Sequence, residues 1–105
     1  AFPVWLSPLQ VKILPITDKH VEYAKQVEEK LLQEGIRVEV DDRNEKTGYK
    51  IREAQIQKIP YMLIVGDKEK EEMTVSVRER KEGDIGKLKV DDFVNRIVKE
   101  IKEYK

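Results

Sequence analysis

The sequence predicts an α/β domain built in three layers: a mixed sheet of about five strands covered by three helices. Three observations carry this expectation. Period-two and period-3.6 hydrophobic patterns alternate along the first half of the chain, as strand–helix–strand units require. The run Tyr61–Val65 is apolar throughout and rich in β-formers, as in a strand buried on both faces. A second strand pattern follows after only a short charged turn, which favours an antiparallel hairpin and so a mixed sheet.

Taken in order, residues 1–10 read as a linker or interdomain segment and 11–105 as the domain. Pro3 and Pro8 break regular structure in the linker, while Phe2, Trp5 and Leu6 call for burial, either on this domain's core or at a seam with another. Residues 11–16 are apolar apart from Lys12 and form the first strand. Thr17 or Asp18 caps the first helix, whose buried stripe is Val21, Ala24, Val27 and Leu31, and Gly35 stops it. The second strand spans 36–41. Residues 41–46 are all polar, so the chain is expected to leave the core there. Thr47 can cap a second helix that runs to about Lys58 and ends ahead of Pro60. After Tyr61–Val65 comes a charged turn, 67–72. A strand over 73–80 follows, with Met73, Val75 and Val77 on one face and Thr74, Ser76, Arg78 and Arg80 on the other. A short last strand is possible near 86–89. The final helix carries the stripe Val90, Phe93, Val94, Ile97, Val98 and Ile101, with Asp91 and Asp92 well placed in its first turn.

Composition narrows the function. The chain has 105 residues, enough for one domain with its own core. It has no cysteine, which excludes disulfides and thiolate metal sites. Its one histidine, His20, has no second histidine to share a metal and is expected at the surface or in a cap. No apolar run approaches the roughly 20 residues of a membrane span, no basic leader precedes an apolar one, and the absent initiator Met suggests a cut fragment. Strand–helix–strand topology raises nucleotide binding, but Pro15-Ile16-Thr17-Asp18 offers no glycine to admit a phosphate, and no Gly-rich phosphate motif occurs anywhere. Asp41 and Asp42 are adjacent and point apart at a strand end, so a catalytic carboxylate pair is not expected. The pair is instead solvated, or ion-paired with Arg43 or Lys46.

Net charge is zero, so any nucleic-acid site must be local. Between Arg43 and Lys58 there are five cations (Arg43, Lys46, Lys50, Arg52, Lys58) and two anions (Glu45, Glu53). Such a surplus suits a phosphate backbone, though it equally describes a solvated helix face. Ile51 and Ala54, with Tyr49 and Ile59 near the ends, can face the sheet, which leaves Lys46, Lys50 and Arg52 outward or to the sides.

The stretch RNEKTGYKIREAQIQKIPYMLIVGDKE resembles the core of the C-terminal anticodon-binding domain of threonyl-tRNA synthetase. FPVWLSPLQV and VSVRERKEGDIGKLKVDDFV resemble the same family, in the same order, so the likeness spans nearly the whole chain. Prolyl-, histidyl- and glycyl-tRNA synthetases share the domain type. The resemblance implies a five-stranded mixed sheet with three helices and a non-catalytic role. The partner it implies is the anticodon loop of threonine tRNA, with no DNA and no membrane. The domain itself would hold no cofactor; ATP and a catalytic zinc belong to another domain of the full enzyme, a cytoplasmic homodimer whose catalytic domain would adjoin this one. Its anticodon-contacting positions fall on Asn44, Glu69 and Arg78. Single-stranded RNA is read by splaying bases and bonding their edges. Arg78 suits the O6 and N7 acceptors of the middle G, Glu69 its N1–H and N2–H donors, and Asn44 the following U. Lys46, Lys50, Lys68 and Arg80 would hold phosphates. Glu69 and Arg78 flank one expected hairpin, so they could lie close together. Against this stand a surface Glu69–Arg78 salt bridge and an ordinary turn role for Asn44. A second function class is a protein-interaction module of the same fold that has lost RNA reading and uses the FPVWL segment.

Overall fold

A computed structural model describes residues 4–103. Five strands, β1 (Val11–Pro15), β2 (Val38–Val40), β3 (Tyr61–Val65), β4 (Thr74–Glu79) and β5 (Gly83–Lys89), form one sheet in the order β2-β1-β3-β4-β5. β1 runs parallel to β2 and β3, whereas β3–β4 and β4–β5 are antiparallel. The mixed sheet is the one the sequence predicts.

Three long helices cover it: α1 (Val21–Gln33), α2 (Thr47–Ile56) and α4 (Val90–Glu103). Alternation along the strands sorts side chains between two cores. On one face Val11 and Ile13 of β1, Leu63 and Val65 of β3, and Val75 and Val77 of β4 meet Ala24, Val27 and Leu31 of α1 and Phe93 and Ile97 of α4. Tyr61 meets Phe93 edge-on there, with ring centroids 5.3 Å apart. On the other face Leu14 and Met62 meet Ala54 of α2 and Ile59 in a smaller cluster. No β4 or β5 residue belongs to that second cluster, so α2 covers only the β1–β3 side.

Local chemistry fixes the ends of α1. Thr17 Oγ1 accepts from the Lys19 N–H at 3.3 Å at the start of a 3-10 turn, Asp18–His20, that leads into the helix. Gly35 ends it with φ +77°, while its N–H donates to Leu32 and that of Ile36 to Leu31, the Schellman arrangement.

Several expectations need correction. The charged stretch after β3 is a short helix, α3 (Asp67–Glu72), so the described residues form four α-helices rather than the expected three. Thr47 is the first residue of α2, and the preceding Lys46 provides no side-chain cap. Met73 takes the left-handed conformation after α3 and is exposed instead of joining Val75 and Val77. In α2 two neighbours exchange roles: Tyr49, expected against the sheet, is 50% exposed, and Lys50 does not face outward but is 3% exposed. Asp41 stays buried, so the chain leaves the core one residue later than its polar run suggests. The last strand begins at Gly83. His20 is a capping residue as expected but lies inside, not at the surface.

The entry segment packs back on the body. Val4 reaches the main core, Gln10 Nε2 donates to the Val4 carbonyl at 3.0 Å, and Arg37 donates twice to the Ser7 carbonyl. Leu6 is 48% exposed. Phe2 and the Trp5 side chain, on which the choice between core and seam turns, lie outside the described residues.

Candidate nucleic-acid interface

The C-terminal ends of β1 and β3 lie side by side, and the chain leaves β1 for one face and β2 for the other. In doubly wound sheets such a switch point opens a crevice. Here a cavity of about 190 Å³ is lined by Ile16, Thr17 and Asp18 of the β1–α1 turn, by Arg43 and Asn44 of the β2–α2 loop, and by Lys50 of α2.

Asn44 is exposed at this cavity. The loop that presents it is anchored by Asp41. Arg43 Nε and NH2 donate to Asp41 Oδ1 and Oδ2, each at 2.8 Å, and NH2 also reaches Glu53 Oε1 at 2.5 Å. Hydrogen bonding by Arg43 holds the Asp41 carboxyl below the usual carboxylate range despite burial, which pushes the other way. Of the alternatives the sequence left open for Asp41 and Asp42, solvation or pairing with Arg43 or Lys46, Asp41 takes the pairing with Arg43. Glu53 was counted there only as an anion, although its position in the first turns of α2 brings it to the same guanidinium. Lys12, buried in β1, lies 3.9 Å from Asp41 Oδ2.

Lys50 runs its stem under the loop and donates from Nζ to the Asp41 carbonyl at 2.9 Å. Its outward placement is thereby corrected: the ammonium lines the cavity from below. Two of the five cations counted in this segment, Arg43 and Lys50, are engaged within the protein. Lys46, Arg52 and Lys58 are exposed.

Across the switch point, His20 and Asp67 join the two turns. His20 Nδ1 accepts from the Thr17 N–H at 3.2 Å, so a neutral ring carries its proton on Nε2, which faces Asp67 Oδ1 at 2.7 Å. The His20 hydrogen bond holds the Asp67 carboxyl below its ordinary value. Next to it Gly66 passes so close to β1 that an added Cβ would stand 2.6 Å from Ile16 Cδ1.

Glu69 is 9% exposed and its Oε1 accepts from the Gly66 N–H at 2.7 Å, capping α3. Glu69 also adds to burial in raising Tyr23 to about 12. Lys68, beside it, is exposed. Arg78 stands in β4, opposite Met62 of β3, on the face α2 leaves open. Met62 is four residues before Gly66, about 13 Å along the strand at roughly 3.3 Å per residue. Among the described residues Glu69 and Arg78 make no ion pair, and the Arg78 guanidinium has no hydrogen-bond or ion-pair partner. Opposite Arg78 the β4–β5 register slips, Val77 pairing with Gly86 and Arg78 with Asp84, a bulge of the kind that re-aims a neighbouring side chain. Gly83 and Gly86, both at positive φ, were its only sequence signal.

Asn44, Lys50, Lys68 and Glu69 therefore share one end of the sheet, while Arg78 stands partway down its open face. Arg80 lies at the other end, donating to the Lys58 carbonyl at 2.9 Å and bonding Pro60 through its backbone. No group of three or more His, Asp or Glu among the described residues could hold a metal, and no described helix is long and apolar enough to cross a membrane.

A family model described as an anticodon binding domain matches residues 10–100. The threonine–tRNA ligase of Caldanaerobacter subterraneus subsp. tengcongensis is 64% identical over 101 residues, and that of Acetivibrio thermocellus 63% over 102. These matches cover 96% and 97% of this chain but 16% of each ligase. Among solved structures, the RNA binding domain of threonyl-tRNA synthetase from Cryptosporidium parvum superposes with a TM-score of 0.86 at 36% identity, over 93% of this chain and 25% of that one. Prolyl-tRNA synthetase from the same organism superposes at 0.88 and 26% identity, over 99% of this chain and 23% of that one.

Proposed function

This chain belongs to the anticodon binding domain family, and we propose that it reads the anticodon loop of a threonine tRNA as one domain of a threonine–tRNA ligase. The observation that carries the reading is Arg78: a guanidinium half-buried on an open sheet face, with no partner among the described residues. Five fixed donors left unbonded beside a register bulge suit the paired acceptors of a guanine edge. In this reading Arg78 bonds O6 and N7 of the middle G. Glu69 takes that base's N–H donors through the carboxylate oxygen that does not cap α3. Asn44, with a donor and an acceptor at the cavity, reads the following U. Lys46 and Lys68 neutralise phosphates from the surface, and Lys50 adds its charge from the cavity floor. Arg80, tied to the Lys58 carbonyl at the far end, holds backbone only where the RNA extends down the sheet.

The ligation chemistry, with its ATP and catalytic zinc, falls to other domains of such a ligase. Packing against that catalytic domain, a homodimeric enzyme and a cytoplasmic setting belong to the same proposal.

The test is a titration against a threonine anticodon stem-loop and one whose middle G is changed to A, at two salt concentrations. The native loop should bind more tightly, and Arg78→Ala should abolish the preference. Equal, salt-sensitive binding of both loops would reduce the site to a basic surface.

A further inference from the structure

We propose that Arg43 is a positioning residue that presets Asn44 for base reading; this rests on the anticodon-reading function above. Arg43 immediately precedes Asn44, and its side chain ties the loop to two rigid elements at once. Its guanidinium forks onto Asp41, at the end of β2, and reaches Glu53, in α2. Asp41 is itself immobilised: its N–H donates to the Ile13 carbonyl at 2.9 Å, its carbonyl accepts from Lys50, and its carboxylate is 2% exposed. On the far side of Asn44, the Glu45 N–H donates to the Arg43 carbonyl at 2.8 Å and closes the tip. Asn44 thus projects to the cavity from a backbone held on both flanks.

The same geometry makes Arg43 a poor phosphate ligand. Three of its bonds go to carboxylates, and the group Asp41, Arg43 and Glu53 together carries a net negative charge. A cation spent in this way contributes to RNA binding by holding the loop in its working shape before the RNA arrives, so that the ordering cost is not paid on binding. Glu53 acts at one further remove, by holding Arg43.

Charge and position make opposite forecasts for one substitution. Glu53→Gln removes an anion and leaves Arg43 in place. If Arg43 acts through charge, this variant binds all loops more tightly, with selectivity unchanged. If Arg43 positions Asn44, selectivity falls while non-specific affinity stays level or rises. Arg43→Lys tests the same point from the other side, keeping the charge and losing the fork.

The experiment uses this chain, a threonine anticodon stem-loop, and the same stem-loop with the last anticodon letter changed from U to A. Dissociation constants come from NMR titration, which reaches weak binding. A base contact of this kind gives discrimination of about 5- to 150-fold; Arg43→Lys and Glu53→Gln should each lower it by at least about threefold, toward the value of Asn44→Ala. The ¹⁵N heteronuclear NOE of residues 42–46 should fall in Arg43→Lys without any RNA present. Unchanged discrimination in both variants, with Asn44→Ala losing it, overturns the positioning role and leaves base reading intact. Unchanged discrimination in Asn44→Ala, or none in the unmodified chain, overturns the base reading and this inference with it. Should Arg43→Lys fail to fold by circular dichroism, Glu53→Gln decides alone.

Discussion

Replacing Asp41 by asparagine keeps the shape of a side chain and removes the charge that the β2–α2 junction is built on. The carboxylate is 2% exposed and faces Lys12, itself 6% exposed, at 3.9 Å, besides the Arg43 fork. Once neutralised, the site leaves the Lys12 ammonium buried without a counter-charge and turns an amide toward a guanidinium that also needs an acceptor. Removing one member of a buried pair costs about 3–5 kcal/mol. Arg43 is half-exposed and can turn to water, so the loss should fall near the lower end, about 3 kcal/mol. Against the roughly 5–15 kcal/mol of a typical domain the variant stays folded. Its Tm should fall by roughly 10–20 °C, and urea unfolding at pH 7 should give the free energy directly. Lys12→Met alone should cost less, because Asp41 keeps Arg43, and the double variant should cost less than the sum of the two. The sign with pH follows from the depressed Asp41 carboxyl. Its contribution is present above the unfolded value near about 3.9 and is lost as pH falls through the folded one. The gap between parent and Asp41→Asn should therefore close in acid. A loss under about 1 kcal/mol, as for exposed ion pairs, strict additivity, or a gap that does not narrow as the solution is acidified would each refute a buried ionic anchor.

Other outcomes follow from single features. His20→Ala removes the group that depresses Asp67, so the Asp67 carboxyl should titrate closer to an ordinary aspartate in an NMR pH series. Gly35→Ala forces a Cβ into φ +77° and should cost about 1 kcal/mol in urea unfolding. Phe93→Ala empties a fully buried site against Tyr61 and should cost about 3–5 kcal/mol by the same assay. Lys46→Ala should weaken binding to matched and mismatched stem-loops alike and flatten the salt dependence, whereas Arg78→Ala should lose about 1–3 kcal/mol only for the loop with the middle G.

The elements legible in the sequence are those whose residues settle their own conformation. Tyr61–Val65 is apolar at every position and forms the observed strand residue for residue. Gly35 had to take a left-handed turn, and it does. The elements missed depend on partners far away in the chain. DKEKEE has no apolar period, and six residues do not nucleate a helix in isolation. What holds α3 is Glu69 folding back on Gly66 and Asp67 bonding His20, 47 residues earlier. Turning Ile51 and Ala54 to the sheet left Lys50 outward or to the side; it lies inside because the Asp41 carbonyl accepts its ammonium. For the site, the resemblance named Asn44, Glu69 and Lys68 one by one, and the fold places all three at one end of the sheet. The resemblance could not show that Glu69 already spends one oxygen, or that Arg80 and Arg78, two residues apart, differ in having a partner.

A chain with no net charge gains little from bulk attraction to RNA, and the structure reduces the local cationic surplus further by turning Arg43 and Lys50 to internal use. Asp18, Asp42 and Glu45 also line the cavity at the switch point, beside the start of α1 where an anion would otherwise be welcome. A phosphate would meet these carboxylates and find no glycine-rich turn to admit it. A base is uncharged, and its edge offers donors as well as acceptors, so the same carboxylates do not repel it. The topology of a nucleotide-binding sheet is thus combined with a lining in which three carboxylates face two cations, Arg43 and Lys50, the first of them already paired. On the proposed reading, selectivity comes from how firmly Asn44 is held and from the donors that Arg78 leaves unbonded, rather than from how strongly RNA is drawn in. That is why the discriminating measurements are ratios between matched and mismatched loops, and why a change in salt should move the two affinities together and leave the ratio in place.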